Sequence, residues 1–172
     1  MGLNSNLLDL GCRVIGVRAL GVQLAAAAIA VGSVTLLADR VLAQTGLITV
    51  DSPYTVEETV ARLEAVVAEK ELTLFGIVDH AAGAASVDAE LPPTQVVIFG
   101  NPAAGTPLMQ CAPTVAIDLP LKALIWEVDG QTQLAYNDMS FLQERHEIEG
   151  CDEVLSKIAA ALNGIVTEVT QS

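Results

Sequence analysis

An apolar run near the N-terminus, residues 19–38, divides this chain of 172 residues into two unequal parts. Arg13 and Arg18 precede the run, and Val41-Leu42-Ala43 follows it after two charged residues. A basic flank, an apolar stretch and small residues at a cleavage position are typical of a secretory signal peptide. A run of twenty apolar residues is also long enough to anchor a chain in a bilayer.

Residues 1–43 are therefore interpreted as a signal peptide or an N-terminal membrane anchor, and residues 44–172 as a single folded domain. Positive flanks stay on the cytoplasmic side of a membrane. Both interpretations consequently predict an extracytoplasmic domain, periplasmic or secreted after cleavage, or held at the inner membrane by residues 19–38.

The predicted domain is strongly acidic. After residue 43 it contains five Lys and Arg against nineteen Asp and Glu, a net charge of −14. Nucleic-acid binding depends on cations that neutralise phosphates, and docking to anionic lipids has the same requirement. The charge therefore argues against nucleic acid as a partner, and against contact with a membrane other than through the N-terminal segment.

Two cysteines, Cys111 and Cys151, lie within the predicted domain. An oxidising compartment would permit a disulfide between them. Isolated buried thiols are the alternative, since cysteine also serves as a small apolar residue. The sequence leaves both possibilities open.

Two helices are predicted from apolar spacing. Thr55 and Glu58 form a capping-box pattern, and apolar residues then recur at helical spacing as far as Val67. A closing helix begins near Asp152 and extends to about Val169, and a shorter helix follows Asn137-Asp138.

Strand-like runs occur at five places. The run at 72–80 is apolar on both faces, which predicts a central strand. Asp129-Gly130 predicts a hairpin that would place Trp126 and Tyr136 on one apolar face. The resulting order, β-α-β(4)-α, indicates an α+β fold in which an antiparallel sheet has its helices packed on one face. The predicted strands are 46–50, 72–80, 94–99, 121–128 and 131–136.

Several motifs in this order carry a family resemblance: DHAAGA from Asp79, FGNPAAGTPLMQ from Phe99, IDLPLKALIWE from Ile117 and YND from Tyr136. They resemble the bacterial family called domain of unknown function 302. The resemblance implies the same β-α-β(4)-α fold and a homodimer, and it implies no activity. The family usually has Gly where this chain has Glu71, at the turn that follows the first helix.

The segment 97–122 combines glycines, prolines and strand-like ends. It lacks the Gly-Lys-Ser/Thr of a phosphate loop. Thr106 is predicted to cap a short helix that begins at Pro107, a favourable first position for proline. The long connection predicts an apolar groove between the sheet and the loop 101–120, suited to a small apolar or anionic ligand. The candidate ligand-binding residues are His80, Asn101, Thr106, Asp118, Lys122, Trp126 and Tyr136.

An alternative is a metal- or haem-binding redox protein that uses His80 with Met109 or Cys111. These residue types suit copper or haem, and His146 adds a second imidazole. Their separation in sequence does not match a single copper loop, and we predict no cofactor.

Acid–base chemistry has candidates by residue type only: Asp79-His80, Asp118 with Lys122, and Asp138. Asp138 is better explained as a helix N-cap and Asp118 as a turn former. The sequence thus favours a non-enzymatic domain. The leading hypothesis is an exported homodimeric binding module, and a second alternative is a purely structural domain with an envelope protein partner.

Overall fold

The fold is described from a computed structural model, which covers residues 46–171. In this part of the chain five strands form one antiparallel sheet in the order β1-β5-β4-β3-β2. The strands are β1 (Leu47–Ser52), β2 (Thr73–Asp79), β3 (Thr94–Gly100), β4 (Leu121–Val128) and β5 (Gln131–Asn137). The helices are α1 (Val56–Glu69), α2 (His80–Ala85), α3 (Pro102–Cys111), a 3₁₀ helix (Pro113–Ile117), α4 (Met139–Arg145) and α5 (Asp152–Thr170).

The predicted α+β class and the β-α-β(4)-α order are confirmed. Strands β2 to β5 form a meander, and β1 pairs with β5 at the far edge. The signal or anchor segment predicted at residues 1–43 lies outside the described residues. No helix within residues 46–171 is both long and apolar enough to cross a membrane.

The first helix forms as its sequence predicts. The Thr55 hydroxyl accepts from the Glu58 amide at 3.2 Å, and the Glu58 carboxylate accepts from the Thr55 amide at 3.1 Å, so the capping box is complete. The residues at helical spacing are buried, with Leu63 fully enclosed. Burial of this stripe against the sheet and α5 is what holds the helix in place, since short helices are marginal alone.

The turn after α1 keeps the conformation that glycine favours, although glycine is absent. Glu71 has a φ of 54°. The Glu71 amide donates to the Ala68 carbonyl and the Leu72 amide donates to the Val67 carbonyl, which is the pair of hydrogen bonds that ends a helix in a Schellman motif. The chain therefore departs from the family pattern in the residue but keeps the left-handed turn. The Cβ of Glu71 makes this conformation about 1 kcal/mol less favourable than it is for glycine.

Helix α5 packs beside α1, and one arginine in the middle of α1 contacts the C-terminal end of α5. The Arg62 guanidinium donates to the carbonyls of Glu168, Val169 and Gln171 at 2.7–3.2 Å. It also lies 4.1 Å from the centre of the Tyr54 ring. Carbonyls in the last turn of a helix have no partner inside it, so a cation there satisfies them and complements the helix dipole.

The prediction that strand 72–80 is central was wrong. Among residues 46–171, strand β2 pairs only with β3 and forms an edge of the sheet. Its apolar side chains stay accessible, with Phe75 at 54% and Val78 at 42% exposure. The reason is topological: the chain passes from β2 to β3, β4 and β5 in sheet order, and β1 pairs with β5 at the opposite edge instead of with β2.

Trp126 and Tyr136 do not share a face, contrary to the hairpin prediction. Tyr136 pairs with Ala123, and Trp126 pairs with Gln133. Side chains alternate along a strand, so positions 123 and 126 point to opposite faces. Tyr136 lies in the core and is 5% exposed, whereas Trp126 lies on the face opposite α1 and α5.

Cys111 and Cys151 form a disulfide, with their Cα atoms 6.5 Å apart. The bond joins the last residue of α3 to the residue that precedes α5. It therefore ties the connection between β3 and β4 to the helical layer of the core.

Candidate functional site

Helix α3 begins earlier than its sequence predicts. Its N-cap is Asn101, whose side-chain oxygen accepts from the Ala103 amide at 2.9 Å, and Pro102 occupies the first position. Pro107 lies inside the helix, so the prediction that Thr106 caps a helix starting at Pro107 was wrong. An N-cap residue followed by proline occurs at two places, Asn101-Pro102 and Thr106-Pro107. The helix begins at the earlier pair, because an asparagine side chain at an N-cap is at least as effective as threonine.

An apolar cleft lies beside α3. It has a volume of about 280 Å³. Its walls come from α3, the 3₁₀ helix with the residues that follow it, the adjoining ends of β3 and β4, and α5. The apolar cleft is lined by Phe75, Gly100, Asn101, Pro102, Ala104, Gly105, Thr106, Met109, Ala116, Leu119, Pro120, Leu121 and Ile158.

Small residues keep this space open. Ala104 and Gly105 face it from α3, and Ala116 faces it from the 3₁₀ helix. A Cβ added at Gly105 would lie 3.5 Å from a Leu119 methyl carbon, an ordinary contact distance. Larger side chains at these positions would therefore occupy the volume that the cleft leaves free.

Phe75 reaches the cleft because β2 is irregular at this position. The pairing register with β3 shifts between Leu74 and Gly76. A β-bulge re-aims the side chain of the extra residue. Phe75 thus contributes an exposed aromatic ring to the rim of the cleft, next to Gly100.

Two of the predicted ligand-binding residues, Asn101 and Thr106, line the apolar cleft, and so does Met109, which was predicted only as a candidate metal or haem ligand. Lys122 is near its rim, where the ammonium donates to the carbonyls of Asp118 and Pro120 at 2.9 Å each. These contacts use the lysine to hold the end of the 3₁₀ segment against the start of β4. The predicted groove between the sheet and the loop 101–120 thus has a counterpart in the structure.

His80, Trp126 and Tyr136 lie elsewhere. His80 is the exposed first residue of α2, beyond the end of β2 that pairs with Gln95. The cleft is at the other end of β3, about 20 Å away at 3.3 Å per residue. Burial raises the pKa of the Tyr136 hydroxyl, and the Asp138 carboxylate adds to the rise.

The structure does not bring the proposed metal ligands together. His80 and Met109 lie near opposite ends of β3, and the Cys111 sulfur is committed to the disulfide. Within residues 46–171, no three His, Cys, Asp or Glu side chains are grouped as a metal site would need.

Sequence reasoning missed a hydrogen-bonded set of three polar side chains. His146 Nε2 lies 2.6 Å from an Asp118 carboxylate oxygen, and His146 Nδ1 lies 3.1 Å from the Thr114 hydroxyl. Arg145 also approaches Asp118, at 3.4 Å. Asp118 was considered as a partner of Lys122 and His146 as a metal ligand. No spacing links residues 28 positions apart, so only the fold reveals the pair.

A family model, domain of unknown function DUF302, matches residues 48–165. The chain belongs to this family. The match spans β1 to most of α5, and it confirms the resemblance carried by the motifs between Asp79 and Asp138.

Curated relatives add a different context. The chain is 41% identical over 124 residues to the Fluoride-specific ion channel FluC 1 of Brucella suis, covering 72% of this chain and 49% of that protein. The same identity and length hold for the FluC 1 protein of Brucella abortus, of which 46% is covered. The chain thus spans about half the length of these relatives.

A solved structure shares the fold. It is the crystal structure of an uncharacterized conserved protein DUF302 from Bacillus stearothermophilus, with a TM-score of 0.67 and 17% sequence identity. The likeness covers 72% of this chain and 98% of that one. It supports the arrangement of five strands and helices described above.

Proposed function

We propose that this domain binds a small neutral apolar molecule, or the apolar end of a larger one, in the cleft beside α3. The observation that carries the proposal is the cleft itself: about 280 Å³ of space lined almost entirely by apolar side chains. Apolar cavities of about 150 Å³ accommodate benzene, and ligand pockets begin at about 300 Å³. One ring or a short aliphatic chain matches this size.

The lining and the charge favour a neutral ligand over an anion. The polar groups at the cleft are few, and the Asn101 side chain is already engaged with the Ala103 amide. The Lys122 ammonium is satisfied by two carbonyls. A chain with a net charge of −13 repels anions at long range. Transfer of apolar surface from water would supply the binding free energy, at about 25 cal/mol per Å².

The test is a fluorescence titration with N-phenyl-1-naphthylamine, a neutral dye that brightens in apolar surroundings. We expect saturable brightening with one dye per chain and displacement by 1-octanol. Ala104→Phe places a ring in the cleft and should abolish the saturable signal. Ala160→Phe is the matched control, because it makes the same change on an exposed position of α5.

Equal dye binding by both phenylalanine variants would contradict the proposal, as would an unsaturable signal in the original chain. Melting temperatures of both variants establish that each is folded. A domain that ignores the dye and every apolar competitor, yet recovers a stable partner from the cell envelope, would support the purely structural alternative.

The homodimer is part of the proposal, and the outer face of the sheet is the surface assigned to it. This face lies opposite α1 and α5. A cross-strand row of apolar residues runs over it, from Val78 through Val96 and Leu124 to Ala135. A self-complementary apolar patch is what a two-fold dimer interface requires.

Sedimentation analysis at micromolar concentration tests the dimer. Leu124→Glu should shift the chain to monomer, whereas Leu91→Glu, at an exposed loop position, should leave the dimer intact. A chain that is monomeric without any substitution would refute this part of the proposal.

The proposed location is outside the cytoplasm, after export or anchoring by residues 1–43. The apolar run at 19–38 supports this location. The curated relatives are named as ion channels, and a match of 124 residues must draw most of its length from the described domain. We therefore propose that the domain serves next to membrane proteins. Protease accessibility in intact spheroplasts tests this: digestion of the domain supports it, and protection contradicts it.

A further inference from the structure

A second constellation lies on the segment that forms one wall of the cleft. Thr114 is in the 3₁₀ helix, Asp118 directly follows that helix, and His146 ends α4. The His146 side chain is 5% exposed and the Asp118 side chain 14%, whereas Thr114 is exposed. One end of a buried hydrogen-bonded chain therefore reaches solvent through a hydroxyl group.

The direction of the hydrogen bonds follows from the acceptors. A carboxylate has acceptor oxygens only, so the His146 Nε2 that lies 2.6 Å from Asp118 must carry the proton. A neutral imidazole then has its lone pair on Nδ1, which accepts from the Thr114 hydroxyl at 3.1 Å. This order, acid to imidazole to hydroxyl, is the one that activates an alcohol as a nucleophile.

We propose that Thr114 is a nucleophile, that His146 is its general base and that Asp118 positions the imidazole, so that the domain hydrolyses small uncharged carboxylic esters. The acidity of the chain disfavours anionic esters, and the exposed Thr114 hydroxyl is accessible to a small ester. This site is distinct from the dye-binding cleft and does not depend on the function proposed for it.

The reaction is balanced with water as the co-reactant. The Thr114 oxygen bonds to the ester carbonyl carbon while its proton passes to His146 Nδ1. The ester C–O bond then breaks, and the departing alcohol takes that proton, leaving an acyl group on Thr114. Water attacks this acyl group, gives a proton to Nδ1 and releases the carboxylic acid as the Thr114 hydroxyl is restored. Asp118 stabilises the imidazolium formed in each step.

The same contacts would also fasten the 3₁₀ helix to the end of α4, so stability alone cannot separate the two roles. The experiment therefore measures the reaction rate and the covalent product. The full chain is incubated with 4-nitrophenyl acetate, release of nitrophenolate is recorded, and the acetylated peptide is mapped by mass spectrometry after acid quenching.

We expect hydrolysis above the buffer rate and an acetyl group on Thr114. Thr114→Val, which keeps the shape and removes the hydroxyl, should reduce the rate to that of buffer. Thr114→Ser should retain activity, and His146→Gln should lower the rate about 100-fold, as the loss of a general base does. Asp118→Asn should lower kcat with KM unchanged in samples whose melting temperature shows that the variant is fully folded, because a fraction of unfolded protein would also lower the apparent kcat. Thr167→Val, at an exposed position of α5, serves as the matched control.

An unchanged rate in Thr114→Val would overturn the proposal, and so would acetylation confined to other residues or a rate equal to that of buffer. If Thr114→Val fails to fold, the position of the acetyl group on the original chain decides. Dye binding in the cleft is measured on the same samples, so the failure of one proposal is distinguishable from the failure of the other.

Discussion

The helices that cover one face of the sheet form two groups, and the two groups differ in how tightly they pack. Helices α1 and α5 bury most of their apolar stripes, and Leu63, Val67 and Val169 are at most 1% exposed. Helix α3 and the 3₁₀ helix bury only Leu108 and Val115 from their own segments. We call α1 and α5 the closed layer, because they are closely packed. We call α3 and the 3₁₀ helix the open layer, because they leave the apolar cleft open.

The difference has a sequence cause. Helix α1 presents branched side chains at positions 56, 60, 63 and 67, which fill the space above the sheet. Helix α3 presents the small residues Ala104 and Gly105 to the cleft, and Pro107 lacks the amide hydrogen that a helix interior normally uses. Protein interiors are normally filled to crystal-like density, so an apolar space retained by small residues marks a place suited to a ligand.

The same substitution in both layers gives the largest expected contrast. Leu63→Ala should cost about 2–5 kcal/mol of unfolding free energy, since it leaves a cavity in a closed core. Leu119→Ala should cost clearly less, because that side chain already borders open space. Urea denaturation of both variants measures the contrast, and equal losses would show that the cleft is packed like the core.

Removal of the disulfide should loosen the open layer preferentially. A Cys111→Ala, Cys151→Ala double variant should lose about 2–4 kcal/mol, since the bond closes a long loop. Hydrogen exchange should accelerate in α3 more than in α1, because α3 is the helix that the bond attaches. Uniform acceleration in both helices would contradict a local role. The variant should also be insensitive to reductant, unlike the original chain.

The start of α3 can be tested by a matched pair. Asn101→Ala should destabilise the domain by about 1 kcal/mol, the usual loss of an N-cap. Thr106→Ala should change stability by a few tenths at most, since Thr106 is an exposed residue within the helix. The reverse order of losses in thermal denaturation would place the cap at Thr106 after all.

The smallest expected effect is a loss of stability at alkaline pH, caused by the buried Tyr136 of β5. Burial raises the pKa of Tyr136 above its ordinary value of 10.0. The unfolded chain therefore ionises first as pH rises, and the stability that is fully present below pH 10 is lost as pH passes through the folded pKa. Tyr136→Phe should flatten this alkaline decline, measured as unfolding free energy between neutral pH and pH 11. An unchanged slope would contradict the burial effect. The hydrogen bond to Glu168 also raises the pKa of Lys70. Lys70 is present in both the original chain and Tyr136→Phe, so its contribution cancels from the difference between their slopes.

The closed layer was largely predictable from sequence. Local signals predict it: the capping box at Thr55 and the apolar spacing of α1 and α5. Outside that layer, the Asp129-Gly130 turn also joins β4 to β5 as predicted. The N-cap role of Asp138 was also predicted, and its carboxylate accepts from the Ser140 amide at 3.1 Å. Strand order was not predictable in the same way, because an edge strand such as β2 and a central strand can both be apolar on two faces.

The position of the open layer was predictable from the sequence, but the start of its helix and its side-chain contacts were not. The segment 97–122 indicated a long connection with a groove beside it, yet Asn101 and Thr106 gave competing start signals for α3. His146 and Asp118 meet only because α4 and the 3₁₀ helix are brought together by residues far apart in sequence. Contacts of that kind depend on packing, which a linear pattern does not encode locally.

The central claim is that the space beside α3 is a binding site and not a packing defect. Methyl NMR of the labelled chain during titration with 1-octanol tests it most directly. The account predicts saturable shifts for the methyl groups of Met109, Leu119 and Ile158, and none for Leu63 and Val67 in the closed layer. Shifts confined to the outer-face residues Val96 and Leu124, or no saturable shift at all, would contradict it.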